Sequence, residues 1–417
     1  MERLDVLVLG AGMVGTCTAL HLQRRGCAVT LVDRRTPGEE TSFGNAGLIQ
    51  REAVEPYAFP RDARSIADAV FRRGAAVHWH ADALPRIAPV LARYFHASAP
   101  HRHARTAQAF SRLIAHCLSE HQVLIAQAQA EGLVTREGFR FVFRTREALD
   151  HAVRDAERLQ TTYGVRHAAL DAAALARAEP AIRTDVLAGA VHWLDPWSVS
   201  DPGALVAAYA QAFVKAGGRV VRGDASTLRQ AGAAWQVHTE QGLCEAAHAV
   251  VALGPWSDAL VRRLGYRYPL FVKRGYHQHY PPAAAQARLN LAFLDAERGY
   301  VLVPMRKGWR ITTGAEFARI DAPPTPVQLQ RAEASARELV DLPPALDEPP
   351  WLGSRPCIAD MLPVMGPAPR HRGLWFNFAH AHQGFTLGAV SGRLVAEMIT
   401  GEAPLVDASP YAATRFG

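Results

Sequence analysis

Three glycines, Gly10, Gly12 and Gly15, stand in the order G-x-G-x-x-G within "VLVLGAGMVG", and Asp33 closes the next apolar stretch. In such a pattern the first two glycines let backbone N–H groups approach a pyrophosphate. The third lets a helix lie close to a strand, and the carboxylate can accept from ribose hydroxyls. This is a handle for adenosine diphosphate, which nicotinamide and flavin dinucleotides share. The loop that follows, "ETSFGNAGL" at 40–48, is nearly all small or amide-bearing residues and has little side chain with which to pack a core. A flat isoalloxazine ring needs backbone at its edges and no bulk over at least one face, and "SFGNAG" can supply both.

The elements that must position these residues can be read from periodicity. "LDVLVLGAGMVGTCTALHLQRRGCAVTLVDR" reads as a strand over 6–9, a glycine turn, a helix over 16–25 and a second strand over 28–32, which is a βαβ unit. Residues 61 to about 130 turn helical, with Phe110, Leu113, Ile114, Cys117 and Leu118 on one apolar face. From about 150 the α/β rhythm returns. "SDPGALVAAYAQAFVKAGGRVVRG" is a capped helix that stops at Gly217 and Gly218 before a strand, and "AHAVVALGPWSDALVRRLG" is a strand running through glycine into a helix. Residues 266–316 are rich in β-formers, with two strands around a Lys-Gly turn, and predict an antiparallel sheet. "APPTPVQ" and "DLPPALDEPP" flank a helix, and "GLWFNFAHAHQGFTLGAVSGRLVAEMITG" reads as strand, loop and helix start.

Composition removes several classes of function. A chain of 417 residues suggests two domains or one large α/β unit, and no apolar run approaches the ~20 residues needed to span a bilayer. "MERLDVLVLG" is a strand and not a signal peptide, so a cytoplasmic protein is expected, or one peripheral on the inner face of the membrane. The five cysteines have no C-x-x-C spacing and read as reduced, structural thiols. The net charge of +7 comes from arginines scattered among acids, with lysine only at 215, 273 and 307. That is no nucleic-acid stripe, and it favours anionic substrates or an anionic surface. His277 and His279 alternate on a strand with no accompanying carboxylate, and no metal is expected.

The chain resembles the FAD-dependent amine oxidoreductases of the D-amino acid oxidase superfamily, above all bacterial D-amino acid dehydrogenases and glycine oxidase. The carriers are "VLVLGAGMVG" with Asp33, "TSFGNAG", "VVALGPWSDALVRRLG", "GYVLVPMRKGWRITTGAEF", "GSRPCIADMLPVMG" and "NFAHAHQGFTLGAVSGRLVAEMITG", which span nearly the whole length. The resemblance implies an α/β fold: a discontinuous Rossmann-like FAD-binding domain over 1–60, 150–262 and 345–417. An antiparallel-sheet substrate domain with helices would occupy 61–149 and 263–344. It implies non-covalent FAD, held by Gly10, Gly12, Met13, Val14, Gly15, Asp33, Arg34, Thr41, Ser42, Asn45, Ala46, Gly47, Ala252, Gly254, Gly384, Phe385 and Thr386. Arg355 matches the arginine of the G-x-R-P motif that holds a substrate carboxylate. Tyr300 and Phe317 match walls of the glycine oxidase pocket, and His380 matches the histidine beside the flavin. The chain has "AHAH" where the family has Gly-His-Gly. Tyr276, on its own strand, is a further wall candidate, and His382 lies in the same loop as His380.

The chemistry so implied is oxidative deamination of a small amino or imino acid, of D-amino acid type, with D-proline, its hydroxylated form or glycine-like substrates as special cases. Hydride would pass from the α-carbon to flavin N5 while the neutral amine's lone pair forms the imine. Arg355 would orient the carboxylate, and the helix starting near Gly384 would turn its N–H groups toward the flavin N1–C2=O edge. Electrons would leave to a quinone, another carrier or oxygen. Oxidation of a 2-hydroxy acid on the same fold, or service as a flavoprotein subunit of a hetero-oligomeric dehydrogenase, are the alternatives.

Overall fold

The computed structural model describes residues 4–71, 76–281 and 288–416. Among them, two large sheets stand on either side of a deep cavity. The first has eight strands, in the order Gly242–Ala246, Ala234–Thr239, Arg219–Ala231, Ala28–Asp33, Asp5–Leu9, His248–Val251, Leu374–Phe378 and Val364–Pro367. The five strands from Arg219–Ala231 to Leu374–Phe378 run parallel, and antiparallel pairs close both edges. Asp5–Leu9 is central and covered on both faces: Val6 and Val8 enter one core cluster, Leu7 and Leu9 another. That two-sided burial is why its sequence is a continuous apolar run.

Helix Met13–Arg24 follows the glycine turn directly and packs against helix Gly384–Thr400 from the far end of the chain. Helix Pro202–Lys215 begins where Asp201 accepts from the backbone N–H of Ala204 at 3.0 Å and stops before Gly217, whose φ is +92°. The helical stretch after residue 61 forms Ala63–Val70, Leu84–Ala97, Pro100–Ala115 and Cys117–Ala128, the last two packing on Gly384–Thr400.

The second sheet has ten strands. Nine lie in the order Val77–Trp79, Ala315–Phe317, Leu270–Tyr280, Gly308–Thr313, Tyr300–Met305, Phe293–Asp295, Phe139–Phe143, Gly189–Trp193 and His167–Asp171, and Trp351–Ile358 pairs along Leu270–Tyr280. The hairpin around Arg306 and Lys307 is antiparallel. Two pairings, Phe293–Asp295 with Phe139–Phe143 and Ala315–Phe317 with Val77–Trp79, are parallel, because their strands arrive from distant parts of the chain and no hairpin fixes their direction. Sheet membership also cuts across the boundaries expected from sequence. Gly189–Trp193, within 150–262, pairs with Phe139–Phe143 and carries His167–Asp171 on its other side, and Trp351–Ile358, within 345–417, belongs to the second sheet.

Leu48–Ile49, Trp197–Val199 and Val134–Thr135 form a small third sheet. No helix among the described residues is long and apolar enough to cross a membrane. None of the five cysteines is held in a disulfide, and four are buried.

Candidate active site

A cavity of about 770 Å³ runs from the glycine turn to the second sheet. At one end Gly10 adopts φ +104°, and a Cβ there would lie 2.4 Å from the carbonyl oxygen of Ala252. A Cβ on Gly15 would lie 1.8 Å from the Gly10 carbonyl oxygen, so only glycine permits the turn and the helix to approach this closely. Asp33 accepts from the backbone N–H of Ala11 at 2.6 Å and of Arg35 at 3.0 Å. Its carboxylate therefore braces the turn and still faces the cavity. Arg34 pairs with Glu40 at 2.7 Å and lies 4.2 Å over the Trp256 ring.

The small-residue loop forms the middle wall. Ser42 Oγ accepts from the first N–H of helix Met13–Arg24 at 2.9 Å, and Thr41 donates to the Ser354 carbonyl at 3.1 Å. Arg310 donates to the carbonyls of Asn45 at 2.6 Å and Phe43 at 3.2 Å. Asn45 and Ala46 face the cavity. Gly47 does not: at φ +69° it is packed so that a Cβ would lie 2.2 Å from the Val199 carbonyl. Thr386 is likewise displaced from the expected contacts. It is buried, accepts from the Gln50 N–H at 3.1 Å and donates to the Leu48 carbonyl at 3.3 Å, so it locks the strand behind the wall.

The alternation of strand Leu270–Tyr280 decides which side chains reach the substrate end. Lys273 and Gly275 face the cavity, while Arg274 and Tyr276 point the other way. Arg274 pairs with Glu316 at 2.6 Å, both fully buried. The Tyr276 hydroxyl donates to Glu316 at 3.2 Å and accepts from the Thr325 N–H at 2.6 Å, so Tyr276 touches the cavity without offering its hydroxyl. Tyr300 is a correction of the same kind. It is buried in the core behind the sheet, and its neighbours Gly299 and Val301 line the cavity instead. Phe317 does line it, stacked on Phe271 with centroids 6.3 Å apart.

Arg355 lies opposite Lys273 on the neighbouring antiparallel strand. Its guanidinium sits over Gly275, where a Cβ would lie 2.6 Å from Nη2. Nη1 donates to the Gly314 carbonyl at 2.7 Å and Nη2 to the Thr313 carbonyl at 3.0 Å. No carboxylate among the described residues pairs with it; both Nη atoms donate to carbonyls, Nε does not, and the residue lines the cavity. Burial pulls the guanidinium below the usual arginine range.

His380 has a backbone on either side that is costly for alanine: φ is +67° at Ala379 and +51° at Ala381. These are the positions where the resemblance expects glycine. Burial pushes the His380 imidazole down to about 3, and its Nε2 is buried with no hydrogen-bond partner. His382 falls to about 3 through burial and then through Lys273 and Arg355, and its ring meets Tyr57 at 4.6 Å. Gly384 and Phe385, at the start of the C-terminal helix, also line the cavity.

Residues that sequence reasoning passed over include Tyr57, Tyr94, Gln50, Trp351 and Lys273, all of which line the cavity. Lys273 carried one signal, being one of three lysines in an arginine-rich chain. His277 stacks on Trp351 at 4.9 Å, and His279 accepts from Arg310 Nε at 3.0 Å, so both serve the wall behind the loop. One trio, His78, His80 and Glu316, brings possible ligand atoms within 4.8 Å of one another. Glu316 there is already neutralised by Arg274, and its oxygens are occupied by Arg274, Tyr276 and Thr325.

A glycine cradle that no side chain could share, a helix N-terminus beside it, a braced acid and an orphaned imidazole nitrogen fit a dinucleotide that runs the length of the cavity. The fold and site thus define a dinucleotide-dependent oxidoreductase. Residues 5–398 match the family described as DAO, FAD dependent oxidoreductase, and the chain belongs to it. It is 31% identical to a D-amino-acid oxidase of Bradyrhizobium diazoefficiens, covering 100% of this chain and 99% of that protein. It is 30% identical to a D-amino acid dehydrogenase of Dechloromonas aromatica, covering 96% and 97%. The glycine oxidase structure from Geobacillus kaustophilus superposes with a TM-score of 0.73 at 22% identity, covering 100% of this chain and 99% of that one.

Proposed function

We propose that this chain oxidises a small amino or imino acid, D-configured or achiral, with FAD held along the cavity. The observation that carries this reading is Arg355, a buried guanidinium with no carboxylate partner among the described residues, lining the same cavity as the glycine cradle. A buried charge without a counter-ion is costly, and a substrate carboxylate pairing with the guanidinium supplies what is missing. The names of the two relatives, an oxidase and a dehydrogenase of D-amino acids, support the same class.

When bound, FAD supplies the two-electron acceptor for a hydride from the substrate α-carbon. The chain's residues do the positioning. Arg355 fixes the carboxylate, and Gly275 beneath it leaves room for the guanidinium to lie flat. Tyr94, Phe59 and Phe317 wall the substrate end with apolar surface, which also suits the ring of a cyclic amine such as proline. Lys273 and Arg355 together disfavour an ammonium in this space and hold the substrate amine in its neutral, electron-donating form. His380 and His382 are too weakly basic to take its proton near neutral pH.

On this reading the cofactor unit comprises 4–60, 200–262 and 363–416, and the substrate unit is the chain built around the ten-stranded sheet. Gly10, Gly12, Met13, Val14, Asp33, Arg34, Thr41, Ser42, Asn45, Ala46, Ala252, Gly254, Gly384 and Phe385 hold the cofactor, and Gly15, Gly47 and Thr386 shape the walls behind them. Electrons leave to a quinone, another carrier or oxygen; peroxide formed in air at the turnover rate would mark an oxidase.

The test is anaerobic bleaching of the purified flavoprotein. D-amino or achiral amino acids should bleach it, and L-amino acids and 2-hydroxy acids should not. Bleaching by 2-hydroxy acids alone would overturn the reading.

A further inference from the structure

Lys273 is the second cation of the substrate end. It stands directly across from Arg355 in the pairing of Leu270–Tyr280 with Trp351–Ile358, on the same cavity-facing side. Its ammonium lies 4.8 Å from the Tyr94 ring centre, 5.7 Å from Phe271 and 5.8 Å from Phe317. Among the described residues it has no carboxylate partner. The carboxylates that line the cavity are Asp33, Glu40 and Asp224, all at the glycine-turn end, and Glu40 is already paired with Arg34. The neighbouring thiol of Cys357 and the phenol of Tyr94 do not supply the missing charge. Burial raises both, and Lys273 and Arg355 only partly oppose this at Cys357.

Like charges facing one another across a strand pair are destabilising, and the aromatic cage around Lys273 does not neutralise it. One carboxylate satisfies Arg355 and leaves Lys273 desolvated beside it. Two carboxylates satisfy both.

We propose that Lys273 and Arg355 form a two-cation subsite that selects acidic substrates: amino or imino acids carrying a second carboxylate, either on the side chain as in aspartate and glutamate or on the nitrogen as in N-carboxyalkyl amino acids. This rests on the amino acid reading above and narrows it.

The test titrates the FAD-loaded protein with non-oxidisable acids, malonate and succinate against acetate and propionate, following the flavin absorbance. The dicarboxylates should bind at least about tenfold more tightly, the increment of one added charge pair. Lys273→Met should cut the ratio of dicarboxylate to monocarboxylate affinity by about tenfold, and Lys273→Arg should restore most of it. Bleaching by D-aspartate, D-glutamate and iminodiacetate against D-alanine, in the same proteins, should follow the same ratio.

Equal wild-type affinity for the two classes would overturn the subsite, as would an equal loss for both in Lys273→Met. The two readings fail separately. If D-alanine bleaches the flavin but malonate shows no preference, the subsite falls and the amino acid reading stands. If no amino acid bleaches the flavin but the malonate preference follows Lys273, the subsite stands and the amino acid reading falls.

Discussion

The guanidinium of Arg310 donates to the carbonyl of Asn45 at 2.6 Å, across 265 residues of sequence. The same group donates to Phe43, and its Nε donates to His279, which therefore accepts at Nε2 as a neutral imidazole. Burial and then Arg310 itself push His279 down to about 4. Among the described residues no acid pairs with this arginine. Its charge goes into carbonyl oxygens of a loop that has almost no side chains of its own to hold it.

Arg310→Met should therefore loosen the loop without emptying the glycine cradle. Hydrogen bonds to a charged group contribute roughly 1.5–3 kcal/mol, so FAD affinity should fall by about ten- to a hundredfold. Titration of apoprotein with FAD measures this. An unchanged affinity would show that Thr41 and Ser42 alone fix the loop.

Gly275 and Arg355 give a second prediction. A methyl at 275 would lie 2.6 Å from Nη2 and must displace the guanidinium. Misplacing a substrate anchor by about an ångström can cost a hundredfold, so Gly275→Ala should approach the loss of Arg355→Leu in kcat/KM. For Arg355→Leu, a broken charge pair costs about 2–5 kcal/mol, which is roughly 30- to 5,000-fold, and Arg355→Lys recovers part of it. Both Gly275→Ala and Arg355→Leu should keep FAD, and amines without a carboxylate should be indifferent to either. Steady-state kinetics with D-alanine decides; wild-type turnover by Arg355→Leu would reduce Arg355 to a clamp on the carbonyls of Thr313 and Gly314.

The parts of this site that were legible in the sequence are those in which chemistry and local structure coincide. Gly10, Gly12, Gly15 and Asp33 announce a turn because the backbone geometry they permit is itself the binding feature, and the FAD-dependent family agrees with the dinucleotide they implied. Tyr300 shows where this stops. In a strand covered on both faces, hydrophobicity does not say which of two neighbours meets the cavity, and Val301 does. The same ambiguity hid the turn of Tyr276 toward Glu316. Tyr57 and Tyr94, and the placing of Lys273 beside them, were hidden for another reason: they gain meaning only when strand Leu270–Tyr280, the helices after residue 61 and the C-terminal loop meet.

The cavity histidines predict the shape of the activity profile. His380 and His382 both fall to about 3, so neither changes charge between pH 5 and 9. On the amino acid reading, kcat/KM should rise with pH along the titration of the substrate amine, with no histidine step near 6.5. Substrates with less basic amines should shift the limb to lower pH by the difference in their pKa. An inflection near 6.5 that stays fixed across substrates and vanishes in His380→Asn would assign that histidine a proton-transfer role.

Stability should depend on pH through a different histidine. His121 is buried between helix Cys117–Ala128 and the start of Gly384–Thr400; it donates from Nε2 to the Phe385 and Thr386 carbonyls at 3.0 and 3.2 Å and meets the Tyr209 hydroxyl at 3.0 Å through Nδ1. Burial lowers it to about 4, against an ordinary value near 6.5. The unfolded chain therefore binds a proton at His121 below about pH 6.5, while the folded chain resists until about 4. Its contribution is fully present above 6.5 and is lost as pH falls through that window, with a slope of up to about 1.4 kcal/mol per pH unit. His279, His380 and His382 add to the slope in the same direction, so the FAD-loaded protein should lose stability steeply between pH 6.5 and 4. His121→Gln keeps a donor for the carbonyls but cannot titrate. Urea unfolding at saturating FAD should show it less stable than wild type at pH 7.5, with a shallower loss down to pH 5. Equal slopes for the two proteins would mean that His121 is protonated in the fold and that its burial does not hold the imidazole neutral.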